Sequence, residues 1–175
     1  QSAESSFAGE KFLHDPQSGV ETRVQRVTLE GLVKRASLRS AGTTKAAQYP
    51  AGSWRTTLKY QPVHTGMGTS GFRGKVDNMR DEEPYVIAAG FMRWLVKRGQ
   101  LKGNQETGIP EAGQTMVLAG DFRDSTPDFT IAAMKALQDA GLQVDYLGNV
   151  ATPNLAYYCQ QTKRAGIMIT GSHTE

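Results

Sequence analysis

Cysteine is almost absent from this sequence, since Cys159 is the single cysteine among 175 residues. One cysteine excludes an internal disulfide framework and is typical of a protein from a reducing compartment. Cys159 lies among apolar residues in a stretch with helical spacing. We therefore expect a buried, inert thiol at this position and not a nucleophile.

Long apolar runs, a signal sequence and a strong excess of charge are also missing. No apolar run approaches the roughly 20 residues that span a bilayer, and the first residues lack the apolar centre of a signal peptide. The net charge is only +3, and no stripe of Lys and Arg alternates with aromatic residues. We expect a cytoplasmic protein that binds neither membranes nor nucleic acid, although its mild basicity suits anionic substrates.

Metal-binding patterns are equally scarce. The three histidines, His14, His64 and His173, are scattered along the chain, and no D-x-D-x-D stretch occurs. The sequence therefore predicts no metal site built from this chain alone.

The chain divides into two segments of different character. Residues 1–62 are polar and irregular, with a strand or short helix predicted in "VETRVQRVTLEGLV" and a strand in "SWRTTLKYQPV". We predict a polar N-terminal extension of unassigned function over residues 1–62 and a folded domain over residues 63–175.

Strands and helices alternate in the second segment. Apolar spacing predicts a helix in "EEPYVIAAGFMRWLVKRGQ", strands in "TMVLAG", "LQVDYLG" and "IMIT", and two helices that begin at Thr-Pro pairs and end at glycines. In the first of these two helices, Thr126 is predicted as the N-cap, Pro127 as the first helical residue and Gly141 as the residue after the C-cap. Short connections between such elements predict a three-layer α/β fold, with a mostly parallel or mixed sheet and helices on both faces.

Polar loops follow the predicted strands at their carboxyl ends, where open α/β sheets bind ligands. "GDFRDSTP" follows one strand, "TGSHTE" includes the end of another, and "GMGTSGFRG" precedes the first helix. Glycines in the last stretch let backbone N–H groups approach an anion, and Arg73 offers a fork suited to phosphate. The stretch is not a P-loop, and a flexible turn explains it equally well. Ser172 lacks the G-x-S-x-G context of a hydrolase nucleophile.

The ordered set of motifs is more specific than any one of them. "GTSGFRG", "AGDFRDSTP", "ATPNLAYY" and "AGIMITGSH", in this order, resemble the first domain of the α-D-phosphohexomutases, which include the phosphoglucomutases and phosphomannomutases. The resemblance covers about residues 64–175 and implies an incomplete first domain of that fold.

The resemblance implies a role for each matching residue. Ser172 is then the serine that carries a phosphoryl group and exchanges it with a hexose phosphate through a bisphosphorylated sugar, which also serves as activator. The resemblance implies that Mg²⁺ is held by the phosphate on Ser172 together with carboxylates of a second domain. Further implied site residues are Arg73 near the transferring phosphoryl group, His173 beside the nucleophile, and Thr69, Ser70 and Gly71 in the phosphate pocket. We predict that Asp121 and Arg123 are structural and brace the loop, ahead of any contact with substrate.

The sequence also departs from the family pattern. The nucleophile loop of the family usually reads Ser-His-Asn-Pro, whereas Thr174 and Glu175 follow His173 here. Proline would fix φ in this loop, and glutamate adds negative charge beside a phosphate site. The family's lysine after the serine loop, its metal loop, its sugar-specificity loop and its C-terminal domain have no counterpart before Glu175. We therefore expect a piece of a longer enzyme, inactive without the remaining domains or a second chain that carries them.

Two functions from different classes remain open on the sequence. The first is the N-terminal segment of a magnesium-dependent phosphohexomutase. The second is a catalytically inactive relative that binds a phosphosugar or a protein, to which the altered Ser-His-Thr-Glu loop would belong naturally. Glucose, mannose and glucosamine phosphates are not separated, because the discriminating loop is absent.

Overall fold

A computed structural model of the chain describes residues 10–14, 21–26, 66–68, 71–77, 79 and 82–171. Thr69, Ser70 and the last four residues, from Ser172 onward, lie outside this set. The strands are β1 (Glu10–His14), β2 (Glu21–Arg26), β3 (Gly66–Gly68), β4 (Gly71–Arg73), β5 (Gly103–Asn104), β6 (Ile109–Pro110), β7 (Thr115–Gly120), β8 (Gln143–Asn149) and β9 (Gly166–Ile169). The helices are α1 (Glu82–Lys97), α2 (Thr126–Asp139) and α3 (Thr152–Thr162).

Five of these strands form one sheet in the order β1-β2-β8-β7-β9. β7 is parallel to both of its neighbours, β8 and β9, whereas β2 is antiparallel to β8. The sheet is therefore mixed with a parallel centre. β7 has its predicted bounds, and β8 and β9 are each shifted by one residue from the predicted strands.

The side chains of β7 alternate between two apolar cores. Met116 and Leu118 belong to the core that contains α1 and α2, whereas Val117 and Ala119 pack with Leu155 of α3. The alternation follows from the period of two in a strand, which sends successive side chains to opposite faces. Helices cover both faces of the sheet, so the predicted three-layer α/β fold is confirmed.

Polar side chains tie the helices to each other and to the sheet. The Tyr85 hydroxyl donates to Asp139 Oδ2 at 2.8 Å and so links α1 to α2. Asp145 of β8 is 4% exposed. It accepts a hydrogen bond from the Tyr158 hydroxyl at 3.0 Å and pairs with Arg164, so β8 is linked to α3 and to the loop after it. These partners satisfy a carboxylate that would otherwise be costly to bury.

The start of α2 differs from the prediction. Ser125, not Thr126, is the N-cap, and it makes no side-chain capping hydrogen bond. Thr126 is the first helical residue, and its hydroxyl donates instead to the Asp121 carboxylate. The other end is as predicted: Gly141 follows the C-cap with a φ of 82°, which a glycine adopts without strain.

The end of α3 also differs from the prediction. The helix stops at Thr162, because Lys163 adopts a left-handed φ of 54°, and Gly166 is the first residue of β9 rather than the helix terminator. A Cβ on Gly166 would lie 2.5 Å from Cys159 Sγ, so a glycine is needed where α3 crosses β9. Cys159 is half-buried and not fully buried as expected. This burial raises the pKa of its thiol, which makes it a poor nucleophile, in agreement with the prediction. No helix in the described part of the chain is both long and apolar enough to span a bilayer.

The extension over residues 1–62 contributes two strands to the sheet. β1 and β2 form an antiparallel hairpin, and β2 continues along β8 with Gln25 opposite Tyr146 and Arg26 opposite Asp145. β2 confirms the strand alternative predicted within "VETRVQRVTLEGLV", whereas β1 was not predicted. The strand predicted in "SWRTTLKYQPV" lies outside the described residues. The sheet therefore draws on both segments of the chain.

We expect deletion of residues 1–26 to lower the free energy of unfolding and to speed hydrogen exchange at the amides of β8. The reason is that β8 then becomes an unpaired edge strand. Urea unfolding and hydrogen exchange followed by mass spectrometry measure the two effects. Deletion of residues 1–9, which precede β1, is the matched control and should change neither; equal behaviour of the two deletions would contradict the pairing of β2 with β8.

Candidate active site

The carboxyl ends of β7 and β9 meet at one edge of the sheet. The two strands are parallel neighbours, and the last residue of β7, Gly120, is paired with the last residue of β9, Ile169. The chain steps from β7 to β8 in one direction and then returns past β7 to β9. Open α/β sheets bind ligands outside the carboxyl ends of strands where the strand order reverses in this way. Ser172 follows this edge after only two intervening residues.

The Asp121 carboxylate connects the loops at this edge. Its Oδ2 atom accepts a hydrogen bond from the Gly171 backbone N–H at 2.8 Å, across 50 residues of sequence. Its Oδ1 atom accepts one from the Arg123 backbone N–H at 3.2 Å and one from the Thr126 hydroxyl. The Asp121 backbone N–H donates to the Ile169 carbonyl at 3.0 Å, which extends the ladder between β7 and β9 by one bond. The predicted bracing role of Asp121 is thus confirmed by direct contacts.

The hydrogen bonds to Asp121 also set its charge. Burial by itself raises the pKa of the carboxyl, but hydrogen bonds from Thr126, Gly171, Arg123 and the Thr170 hydroxyl together outweigh it and lower the pKa. Donors of this kind stabilise the ionised form. Asp121 is therefore a carboxylate at neutral pH, and its charge lies close to the segment that leads into Ser172.

Arg123 lies against the same segment. Its Nε atom is 3.5 Å from Asp121 Oδ2, and its side chain is 45% exposed. The side chain also crosses Gly171, since a Cβ at that position would lie 2.4 Å from Arg123 Cδ and 2.6 Å from Nη1. Arg123 therefore braces the loop beside Asp121, as predicted, while part of its side chain faces solvent.

A close contact between the end of β7 and the first turn of α2 stabilises the hydrogen bonds around Asp121. Gly120 is buried, and a Cβ there would lie 2.4 Å from Cγ2 of Thr126. The absence of a side chain at Gly120 lets the first turn of α2 come near enough for the Thr126 hydroxyl to reach Asp121. Thr126 itself is 3% exposed, so this contact is shielded from water.

The glycine-rich motif forms a small hairpin of its own. β3 and β4 are antiparallel with Gly68 opposite Gly71. Gly71 has a φ of 140°, which side-chain-bearing residues rarely adopt. Arg73 lies across Gly68, with Nε 3.1 Å from the position of a Cβ there. The approach of Arg73 to Ser172 is not tested by these contacts and stays a prediction.

The predicted site residues thus divide into two groups. Gly71 and Arg73 are described, on β4, whereas Thr69, Ser70, Ser172 and His173 lie outside the described residues, so their assignments stay predictions. Sequence reasoning missed the hydroxyl of Thr126, which donates to Asp121. The available signal for Thr126 was its place five residues after Asp121, at the point where the helix turns back on the strand end.

The described residues do not fit a magnesium site. No group of three or more His, Cys, Asp or Glu side chains in the described part of the chain is arranged to hold a metal ion. Both carboxylate oxygens of Asp121, moreover, already accept hydrogen bonds from N–H and O–H groups. Mg²⁺ prefers several oxygen ligands in octahedral geometry, which this edge of the sheet does not provide by itself.

Comparison with known proteins assigns a family to the sheet and its loops. Residues 64–175 match the profile described as phosphoglucomutase/phosphomannomutase, alpha/beta/alpha domain I. The chain belongs to this family. The match includes both loops that meet at Asp121 and the Ser172 motif, in agreement with the resemblance drawn from the sequence.

Individual relatives carry two kinds of names. A phosphomannomutase from Sinorhizobium fredii is 35% identical over 106 residues, which is 61% of this chain and 20% of the relative. A phosphoglucosamine mutase from Crocosphaera subtropica is 34% identical over 124 residues, which is 70% of this chain and 24% of the relative. A phosphoglucosamine mutase from Trichormus variabilis is 29% identical over 155 residues, or 87% of this chain and 28% of the relative.

These matches cover a small part of each relative but a large part of this chain. The chain spans between 20% and 28% of these three relatives. The Trichormus match covers 87% of the chain, more than residues 64–175 provide, so it extends into the N-terminal segment that contains β1 and β2.

Gly120→Ala should lower the free energy of unfolding by about 1–3 kcal/mol, because the new methyl group overlaps Thr126 Cγ2 and forces α2 away from β7. The matched control is Gly90→Ala in α1, where a Cβ meets nothing within 4 Å. That change should stabilise the protein by roughly 0.5–1 kcal/mol, because alanine favours a helix interior. Urea unfolding of both variants measures the difference, and equal shifts would contradict the tight contact at Gly120.

The lowered pKa of Asp121 predicts how the free energy of unfolding depends on pH. A carboxyl with a folded-state pKa below its unfolded value of about 3.8 stabilises the fold above that value. The contribution is lost as the pH falls through the lower, folded-state pKa. The stability gap between wild type and Asp121→Asn should therefore be constant near neutral pH and narrow below about pH 4. Urea unfolding at several pH values measures this gap, and a gap that widens in acid would contradict the assignment.

Proposed function

We propose that the chain is the N-terminal segment of a phosphohexomutase that interconverts hexose 1-phosphates and hexose 6-phosphates. The observation that carries the proposal is the family match over residues 64–175, which includes the Thr-Gly-Ser-His motif that follows β9 in the sequence. The relatives that match are phosphomannomutases and phosphoglucosamine mutases by name. The proposed location is the cytoplasm, and the proposed substrate is a hexose phosphate.

In the proposed reaction, Ser172 carries the phosphoryl group. The bond between phosphorus and Ser172 Oγ breaks while a new bond forms to a free hydroxyl of the hexose phosphate, and the proton of that hydroxyl passes to the serine oxygen. The bisphosphorylated sugar then turns over in the site and returns its other phosphoryl group to Ser172. Phosphoryl transfer asks the protein mainly to position these groups and to balance developing charge.

The remaining predicted residues have supporting roles in this proposal. Arg73 contributes a guanidinium near the transferring group, His173 lies beside the nucleophile, and Thr69, Ser70 and Gly71 present donors to phosphate. Mg²⁺ belongs to the proposal as a charge-neutralising ion, with the phosphate on Ser172 as the single ligand from this chain. The other ligands belong to the remaining domains or to a second chain, so the 175-residue chain alone is proposed to be inactive.

Among hexose phosphates, glucosamine phosphate is the first substrate to test. Matches that reach 70% and 87% of the chain are to proteins named phosphoglucosamine mutase, whereas the phosphomannomutases from Sinorhizobium fredii and Salmonella muenchen match over 61%, as does one further phosphoglucosamine mutase. The match to the Trichormus phosphoglucosamine mutase therefore reaches into the N-terminal segment before residue 64. Assays with glucosamine, mannose and glucose phosphates compare the three candidates directly.

Ser172→Ala in the whole protein should abolish the phosphoserine and lower kcat by more than about 10³-fold, because the phosphoryl group then has no acceptor. Phosphopeptide mapping and a coupled mutase assay measure the two effects. Ser125→Ala is the matched control, since Ser125 makes no capping hydrogen bond. Normal phosphosugar binding without phosphoserine or turnover in the wild-type protein would contradict the mutase proposal and indicate an inactive binding module instead.

A further inference from the structure

The residue directly before Ser172 is tied to one carboxylate. The Gly171 backbone N–H donates to Asp121 Oδ2 at 2.8 Å. A second tie comes from the backbone, because the Asp121 N–H donates to the Ile169 carbonyl at 3.0 Å. The path of the chain from β9 to residue 171 is therefore fixed relative to β7.

Gly171 is also held from its other side. The Arg123 side chain passes so close that a Cβ on Gly171 would lie 2.4 Å from Cδ and 2.7 Å from Nε. The same guanidinium lies 3.5 Å from Asp121 Oδ2 through Nε. Gly171 thus lies between a hydrogen-bond acceptor on its N–H side and an arginine side chain on its Cα side.

Asp121 is poorly suited to chemistry of its own. Its hydrogen bonds lower its pKa, and a carboxylate of low pKa is a weak general base at neutral pH. Both of its oxygens accept hydrogen bonds, and the described residues around it form no metal-binding group. The remaining role is to hold the backbone that leads into the nucleophile.

We propose that Asp121 is a positioning residue for Ser172, which it orients by accepting the Gly171 N–H while Arg123 closes the opposite side. This inference rests on the proposed function. In-line phosphoryl transfer depends on the direction of the serine oxygen, and a displacement of about 1 Å in such a site can cost roughly 10²-fold in rate. Asp121 acts through Gly171, so it affects the transfer step without contacting the sugar.

Three variants of the whole protein separate this role from others. Asp121→Ala removes the acceptor. Asp121→Asn keeps one oxygen for the Gly171 N–H and presents its NH₂ group to the Thr126 hydroxyl, which is able to accept a hydrogen bond. It removes the acceptor of the Arg123 backbone N–H, which is an exposed contact outside the segment before Ser172. Asp124→Asn is the matched control, because it makes the same change of charge at an exposed position of the same loop.

Four measurements are made on each variant: kcat and KM, phosphoserine content at Ser172, hydrogen exchange of the Gly171 amide by NMR, and the urea unfolding midpoint. We expect Asp121→Ala to lower kcat about 10- to 100-fold with KM changed less than about twofold, and to speed exchange at Gly171. Asp121→Asn should recover most of the kcat and of the protection, and Asp124→Asn should match wild type.

Three results would overturn the inference. One is wild-type kcat in Asp121→Ala. Another is a loss of activity that only follows the loss of folded protein. The third is an Asp121→Asn variant as slow as Asp121→Ala, which would assign the effect to charge and not to the hydrogen bond.

Failure of the proposed function has a different signature. A wild-type protein without phosphoserine at Ser172 and without mutase activity removes the proposed function, whatever the variants do. A phosphorylated, active wild type with an unaffected Asp121→Ala variant removes only the positioning role.

Discussion

The hydrogen bonds that converge on Asp121 decide how three elements meet at the edge of the sheet. Donors reach this one carboxylate from the loop after β7, from the first residue of α2 and from the segment after β9. If the three elements moved apart, these donors would lose their shared acceptor. A buried donor without a hydrogen bond costs roughly 1–3 kcal/mol of folding free energy. The arrangement is therefore mutual: the helix start fixes the carboxylate, and the carboxylate fixes the strand end.

Missing side chains are as important to this arrangement as the polar ones. Gly120 allows α2 to approach β7 from one face of the sheet, and Gly166 allows α3 to approach β9 from the other. In both places the neighbouring atom would lie within about 2.5 Å of a Cβ. The parallel strands β7 and β9 thus pack closely between α2 and α3, and Gly120 and Gly166 are the positions where only glycine fits. The same two helices deliver the crossovers that place β7 next to β9.

The sequence predicts the strands and helices from residue 115 onward well, but it does not predict the edge strand β1 or the residue at which α2 begins. The continuous apolar run in β7 and the Thr-Pro helix starts locate the strands and helices from 115 onward, because a strand that is buried on both faces is apolar at successive positions. Thr126 was misassigned because the hydroxyl of a threonine at a helix start has two possible roles. It accepts a hydrogen bond from a backbone N–H of the first turn when the threonine is the N-cap. Here it donates to a nearby carboxylate instead, and only the fold decides between the two. β1 was missed because an edge strand is stabilised by its pairing partner and not by its own pattern. At the site, the bracing by Asp121 and Arg123 was predicted. The close contact of the Arg123 side chain with Gly171 was not, because the two residues are about 50 positions apart and the sequence pattern does not show that they meet.

The pairing of β2 with β8 has a consequence for how the chain folds. Arg26 and Asp145 lie about 120 residues apart in sequence, whereas β7, α2, β8, α3 and β9 follow one another with short connections. Contacts between distant parts of a chain close large loops and form slowly. During synthesis the first hairpin emerges long before the strand that receives it, and domains are made from the N-terminus onward. The β1–β2 hairpin therefore has one unpaired edge until β8 is available, so the pairing of β2 with β8 is expected to be a late step of folding.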